Sequence, residues 1–261
     1  MRTMASGSVV TASSGGTGGS TCLVDSAAAS VAARLATGAS HAVFDGFAPE
    51  ELASSGRLAL LGLWGEGKAA CAEAGQGTEP EVQFEAGLVG GDKHGDGGGA
   101  DSTLRSDQVA WVGGGEEGVA GTALADILAG LDALVLRGLA GSPGLEELAG
   151  RTLYRERVML AVYPRGGHYG MHADNPGGRS NCRVLTAIVY LNDGWCPGDG
   201  GELRVHREYK TGSSVAGVVE PVGGRLVVFW SDSRTPHSVA RSTGEQPRCA
   251  LTCWYSEAGV M

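Results

Sequence analysis

Three short stretches of this chain carry side chains of the types and spacing that a metal site needs. YPRGGHYGMHAD supplies His172 and Asp174, WSDSRTPHSV supplies His237, and RCALTCWY opens on Arg248, eleven residues after His237. Two imidazoles and one carboxylate can hold Fe(II) on a single face, leaving the opposite positions open for a chelating co-substrate and for O2. The set therefore predicts an oxygen-activating iron enzyme.

The elements that must position these groups read mostly as strands. His172 and Asp174 are one residue apart, so on an extended strand both point to the same side. His237 has to return by tertiary folding. Between them lie the strand-like runs VLTAIVYL (Val184 to Leu191), ELRVH (Glu202 to His206), Ser214 to Glu220, and RLVVFW (Arg225 to Trp230), separated by Gly, Pro, Asn and Asp. Short strands at that spacing predict a barrel or jelly roll with the metal site near one mouth. In the final strand Arg248, Ala250, Thr252 and Trp254 share one face, and Cys249, Leu251, Cys253 and Tyr255 the other. A charged Arg on an otherwise apolar strand needs an anionic partner. That partner is either a protein carboxylate, in an ordinary salt bridge, or the far carboxylate of a dicarboxylate such as 2-oxoglutarate, which the planar fork of Arg suits.

These residues resemble the Fe(II)/2-oxoglutarate-dependent prolyl hydroxylases, and among them the intracellular group that includes the hypoxia-inducible-factor prolyl hydroxylases. The likeness is carried by YP before the metal motif, HADNP across it, YLNDGW, GGELR, EPVGGRLVVFWSD, PHSV and TCWY, and more weakly by LRSDQVAWVGG. It extends over roughly the last nine-tenths of the chain, and the ordered set is far more specific than HxD alone.

The resemblance implies a double-stranded β-helix, that is a mainly β jelly roll, with flanking N-terminal helices. It implies His172, Asp174 and His237 as iron ligands, and Arg248 with Tyr190 at the 2-oxoglutarate tail. Tyr163, Thr186, Ile188, Leu203, Val239, Thr252 and Trp254 match positions lining the co-substrate pocket, and Arg183, Arg105 and Asp107 match positions that contact a peptide. The implied reaction couples oxidative decarboxylation of 2-oxoglutarate to hydroxylation of a prolyl C–H, with Fe(II), 2-oxoglutarate and O2 required and ascorbate as reductant; oxygen sensing belongs to the same resemblance. No side chain is needed as a general base, so none is assigned. Relative to the family, the glycine turn before Tyr169 looks one residue shorter and the loop after Trp195 one residue longer. Both changes bear on peptide preference rather than on chemistry.

Other candidates read as ordinary structure. His41, His94, His168 and His206 are taken as structural histidines, and Trp111 and Trp230 as packing residues. A net charge of −9 and pI near 5.1 argue against a sequence-independent nucleic-acid or anionic-membrane binder. They also argue against a nucleic-acid demethylase, another activity of HxD…H iron proteins. Six cysteines without CxxC pairing, and no signal-peptide core, predict free thiols in a reducing compartment, the cytosol with the nucleus as an alternative. No segment is long and apolar enough to span a membrane.

A chain of 261 residues can form one well-buried core. Residues 1–22, rich in Ser, Thr and Gly, read as a disordered tail, with an organellar transit peptide as the alternative. Residues 23–261 read as one dioxygenase domain, a helical support over about 23–150 and a jelly-roll core over about 151–257. Helices are expected from Ser26, from Pro49 to about Leu63, and over Ala123 to Leu136, the last with Leu124, Ile127, Leu128, Leu131 and Leu134 on one face. The run from Gly90 to Gly99 reads as a mobile loop near the peptide entrance. A proline-containing protein substrate and a monomeric state complete the expectation. The alternatives are a 2-oxoglutarate oxygenase acting on another residue or a small molecule, and a non-catalytic jelly-roll binding module that keeps a metal for structure; the open-faced triad with Arg248 favours catalysis, because a structural metal site closes its coordination sphere with protein ligands.

Overall fold

The computed structural model describes residues 18–72, 81–88, 101–116, 118–177 and 181–258. Most of the expected tail and the expected loop at Gly90 to Gly99 lie outside the described residues. Three helices come from the first half of the chain: α1 (Gly18–Ala36), α2 (Glu50–Ala72) and α3 (Ala123–Asp132), which runs on as a π-helical stretch, Ala133–Leu139. α1 begins ahead of Ser26, inside the segment expected to be a tail, and α2 runs well past Leu63. The five apolar residues expected on one face of α3 and its continuation are all buried.

The strands are β1 (His41–Phe44), β2 (Glu85–Ala86), β3 (Gln108–Val112), β4 (Leu153–Arg155), β5 (Val158–Tyr163), β6 (Tyr169–His172), β7 (Arg183–Tyr190), β8 (Leu203–His206), β9 (Val215–Val219), β10 (Leu226–Trp230), β11 (His237–Val239) and β12 (Arg248–Glu257). Among the described residues they form two antiparallel sheets. The eight-stranded one runs β1-β10-β7-β12-β5-β3-β2, with β4 also on β12, and the four-stranded one runs β6-β11-β8-β9. This is the mainly β, double-stranded β-helix architecture with N-terminal helices.

The central strands are nearly continuous apolar runs because both of their faces are covered. Alternation sorts each strand cleanly. Cys249, Leu251, Cys253 and Tyr255 of β12, Leu185, Ala187 and Val189 of β7, and Val158, Leu160 and Val162 of β5 enter the large core shared with α1, α2 and α3. Their neighbours turn the other way, into the space between the sheets, where Ile188, Tyr190, Leu203 and Phe229 form one cluster and Met159, Tyr163, Val239 and Trp254 another. Each fully buried Leu contributes roughly 1.5–3 kcal/mol, so the helical layer holds the large sheet rigid from behind while the front face is left for chemistry. Cys196, Cys249 and Cys253 form no disulfide among the described residues; burial pushes the Cys249 thiol up to about 11, which favours its protonated form.

Candidate metal and co-substrate site

The register of the small sheet brings the two distant histidines together. β11 pairs antiparallel with β6 so that His237 stands opposite His172, with ring centroids 4.2 Å apart. The nearest potential ligand atoms of His172, Asp174 and His237 all lie within 4.8 Å of one another, a spacing that could hold one metal ion. His172 Nδ1 faces the Gly170 carbonyl at 3.0 Å and His237 Nδ1 the Thr235 carbonyl at 2.9 Å. A carbonyl can only accept, so each Nδ1 carries its hydrogen and each Nε2 keeps a bare lone pair for a metal.

Asp174 reaches this group by a route other than the strand expected from its spacing. β6 stops at His172, and Asp174 sits in a bend just beyond it. The backbone leaves the ladder because the Asp174 carbonyl accepts from Asn181 Nδ2 at 2.7 Å and the Asn175 N–H donates to the Ser231 carbonyl at 2.7 Å. The carboxylate is then fixed from outside the strand, by Thr186 Oγ1 donating to Oδ2 at 2.6 Å, and Thr186 lies 2.8 Å from Ser231 Oγ. Thr186, expected simply to line a pocket, thus orients a metal-ligand candidate. Burial and then the nearby His237 hold His172 down to about 3, which keeps it neutral. Burial works to raise Asp174, but His237, Arg183 and the hydrogen bond from Thr186 outweigh it and hold the carboxyl below its ordinary value.

Deeper between the sheets, Arg248 is 5% exposed, with its guanidinium carbon 4.6 Å from the Tyr163 ring centroid and 5.0 Å from that of Tyr190. Its Nε donates to the Gly201 carbonyl at 3.0 Å, and no carboxylate among the described residues pairs with it. The Tyr190 hydroxyl, fully buried beside it, has no hydrogen-bond partner among the described residues; burial raises its phenol against the opposing pull of Arg248. A buried cation and a buried hydroxyl left over together are costly unless a ligand brings the matching anion. Ile188, Leu203, Val239 and Thr252 are buried around this space. The donor set fits Fe(II), and the unmatched Arg248–Tyr190 pair fits a carboxylate such as the far end of 2-oxoglutarate.

The three positions expected to contact a peptide are already engaged with other groups. Arg105 grips Asp107 through two bonds, Nε–Oδ1 at 2.6 Å and Nη2–Oδ2 at 2.9 Å, and lies 4.4 Å from the Tyr169 ring centroid. Tyr169 in turn stacks on His172 with centroids 3.7 Å apart. Burial, and Asp107 after it, raise the Tyr163 phenol. Arg183 donates to Glu156 Oε2 at 3.1 Å and lies 4.2 Å from the Trp254 ring centroid, while Trp254 stacks at 5.4 Å on Trp111. Trp254 Nε1 is buried without a hydrogen-bond partner among the described residues. Sequence reasoning assigns no role to Tyr169, Ser231 or Glu156. Tyr169 alone carried a signal, as an aromatic inside the metal motif.

A family model described as the 2OG-Fe(II) oxygenase superfamily matches residues 158–256. The human protein named prolyl hydroxylase EGLN3 is 42% identical over 159 residues, which cover 59% of this chain and 60% of that protein. Mouse Egl nine homolog 1 is 37% identical over 157 residues, 59% of this chain and 36% of its own length. The chain therefore spans less than two thirds of the curated relatives it matches. Among solved structures, a prolyl hydroxylase from Trichoplax adhaerens, in complex with a hypoxia inducible factor oxygen degradation domain peptide fragment, is similar with TM-score 0.70 and 25% identity, covering 93% of this chain and 94% of that one. A Pseudomonas putida prolyl-4-hydroxylase gives TM-score 0.59 at 28% identity, covering 88% and 98%.

Proposed function

We propose that this protein, residues 158–256 of which match the 2OG-Fe(II) oxygenase superfamily model, is an intracellular prolyl 4-hydroxylase acting on a proline in a protein substrate. The observation that carries the reading is the pairing of an open-faced His172, Asp174, His237 group with an unmatched Arg248 and Tyr190 between the same two sheets. The prolyl assignment is supported by the names of the relatives and by the peptide bound to the Trichoplax adhaerens enzyme. Bound iron supplies O2 activation, with 2-oxoglutarate as the reductant that leaves as succinate and CO2 while one oxygen atom enters the prolyl C–H.

The chain's own residues divide the remaining work. His172, Asp174 and His237 hold the metal, Thr186 aims Asp174, and Arg248 with Tyr190 takes the far carboxylate of the co-substrate. Tyr163, Ile188, Leu203, Val239, Thr252 and Trp254 wall the pocket and keep water from it. Arg183, Arg105 and Asp107 shape the side that receives the peptide. No helix among the described residues is long and apolar enough to cross a membrane, and a cytosolic monomer that engages neither nucleic acid nor lipid fits the acidic composition.

The test is turnover by the purified full chain with Fe(II), 2-oxoglutarate, ascorbate and a panel of proline-containing peptides, followed by succinate release and by the mass gain of one oxygen on the peptide. His237→Ala should lose bound iron and more than about 100-fold in turnover, beyond what losing an outer hydrogen-bond partner of a metal ligand costs. Succinate formation stimulated by a small metabolite and by no proline peptide would move the substrate class elsewhere. Near-normal turnover in His237→Ala would remove the ligand assignment.

A further inference from the structure

Helix α2 sends Arg57, which is 6% exposed, into the protein interior. Its Nη1 donates to the Leu191 carbonyl at 3.1 Å and to Asn192 Oδ1 at 3.4 Å, and its Nη2 donates to the Pro247 carbonyl at 3.0 Å. The sequence positions of these acceptors are informative. Leu191 directly follows Tyr190, the last residue of β7, and Pro247 directly precedes Arg248, the first residue of β12. The paired register of β7 and β12 ends at Tyr190 opposite Ala250. Beyond it the two strand ends are joined by Leu191 N–H to the Cys249 carbonyl at 3.1 Å, and by Asn192 Oδ1, which accepts the Cys249 N–H at 2.6 Å. Arg57 bridges both ends at this point from outside the sheet.

We infer that Arg57 is a positioning residue for co-substrate binding: through Leu191, Asn192 and Pro247 it fixes the separation of Tyr190 and Arg248, the two groups that receive the distal carboxylate. This rests on the function proposed above. A buried guanidinium that, among the described residues, is matched only by neutral oxygens is a poor way to gain stability, since an apolar side chain of similar volume fills such a place at less desolvation cost. It is a good way to hold two backbone segments at one distance, because the planar fork reaches several acceptors with fixed geometry. Small errors in the placement of a binding group are expensive in function even when the fold tolerates them. Arg57 does not touch the co-substrate; it acts through the strand ends.

The surroundings also make the inference testable by chemical rescue. Arg57, Asn192 and Arg248 lie on the wall of one cavity of about 330 Å³ that Trp195 and Pro247 also line, so a small guanidinium can reach the space that Arg57→Ala vacates. The experiment uses the full chain as wild type, Arg57→Ala and Arg57→Lys, and reads 2-oxoglutarate KM and kcat in turnover together with calorimetric 2-oxoglutarate affinity of the Mn(II)-loaded protein. Arg57→Ala should raise KM and weaken affinity by roughly tenfold while kcat at saturating co-substrate stays within about twofold. Millimolar methylguanidinium should return both values toward wild type in that variant and leave the wild type unchanged. Arg57→Lys, which keeps the charge and loses the fork, should fold and show an intermediate KM, so an Arg57→Ala chain that fails to fold leaves the inference open to refutation. A fall in kcat with KM and affinity unchanged would make Arg57 a purely structural residue and overturn the inference. A wild type that binds 2-oxoglutarate while both variants bind it equally well overturns this inference alone, and a wild type that binds none overturns the proposed function with it.

Discussion

Three arginines face the site, and they differ in what answers their charge. On the rim, Arg105 is held by Asp107 at 2.6 and 2.9 Å, and Arg183 by Glu156 at 3.1 Å. In the depth of the barrel, Arg248 has two tyrosine rings and one carbonyl around it and no carboxylate among the described residues. The rim cations are parts of the wall, neutralised when the chain folds. The deep one, among the described residues, is left for a ligand to neutralise, as proposed above. Burial alone does not separate them, since Arg105 is 9% exposed and Arg248 5%; the partner does.

The largest effect expected from this contrast is on stability at the rim. Asp107→Asn leaves the buried Arg105 guanidinium without its counter-charge, and removing one partner of a buried pair costs about 3–5 kcal/mol. Denaturant unfolding of the ligand-free protein should show that loss as a lower midpoint at unchanged slope. A loss smaller than about 1 kcal/mol would mean that the rim pair behaves like a surface pair, and the contrast with Arg248 would collapse.

The opposite pattern is expected in the depth. Arg248→Met removes a charge that no carboxylate among the described residues answers, so the ligand-free protein should melt at the same temperature or higher. Charge-assisted hydrogen bonds to the co-substrate disappear, and KM for 2-oxoglutarate should rise by roughly tenfold or more. Adding 2-oxoglutarate at about 100 times its Kd should stabilise the Mn(II)-loaded wild type by roughly 2.7 kcal/mol and leave Arg248→Met unmoved. A ligand-free Arg248→Met chain that is clearly less stable would make Arg248 a structural residue.

How much of this was legible in the sequence depends on the range of each interaction. Alternation is local, so the lumen-facing set Arg248, Ala250, Thr252 and Trp254 could be read directly from β12, and so could the buried stripe of α3. The metal ligands were legible as motifs, although the geometry behind one of them was not. Asp174 shares a face with His172 by a bend that Asn181 and Ser231 hold, residues 7 positions away and farther. Pairings across long separations left no local trace: Arg183 with Glu156 at a separation of 27, and Arg57 with Pro247 at 190. The charge of Arg248 was visible, but its lack of a partner is a property of everything else in the lumen.

The smallest expected effect concerns Arg183, where the rim meets the interior. Its guanidinium is bound to Glu156, with its central carbon 4.2 Å from the Trp254 ring centroid, and Trp254 stacks on Trp111. Arg183→Lys keeps a cation for Glu156 but loses the planar face, and a cation–π contact at such a partly exposed site is worth about 0.5–1 kcal/mol. Trp254, whose indole N–H has no partner among the described residues, should then sit less firmly where the pocket wall meets the side proposed to receive the peptide. Peptide KM should rise by about three- to fivefold, while decarboxylation of 2-oxoglutarate without peptide stays within about twofold, because the variant keeps a cation near Asp174 and Arg248 does not depend on this contact. If both reactions fall together, Arg183 supports the whole site rather than its peptide side, and the division between a wall that recognises peptide and a depth that binds co-substrate is drawn in the wrong place.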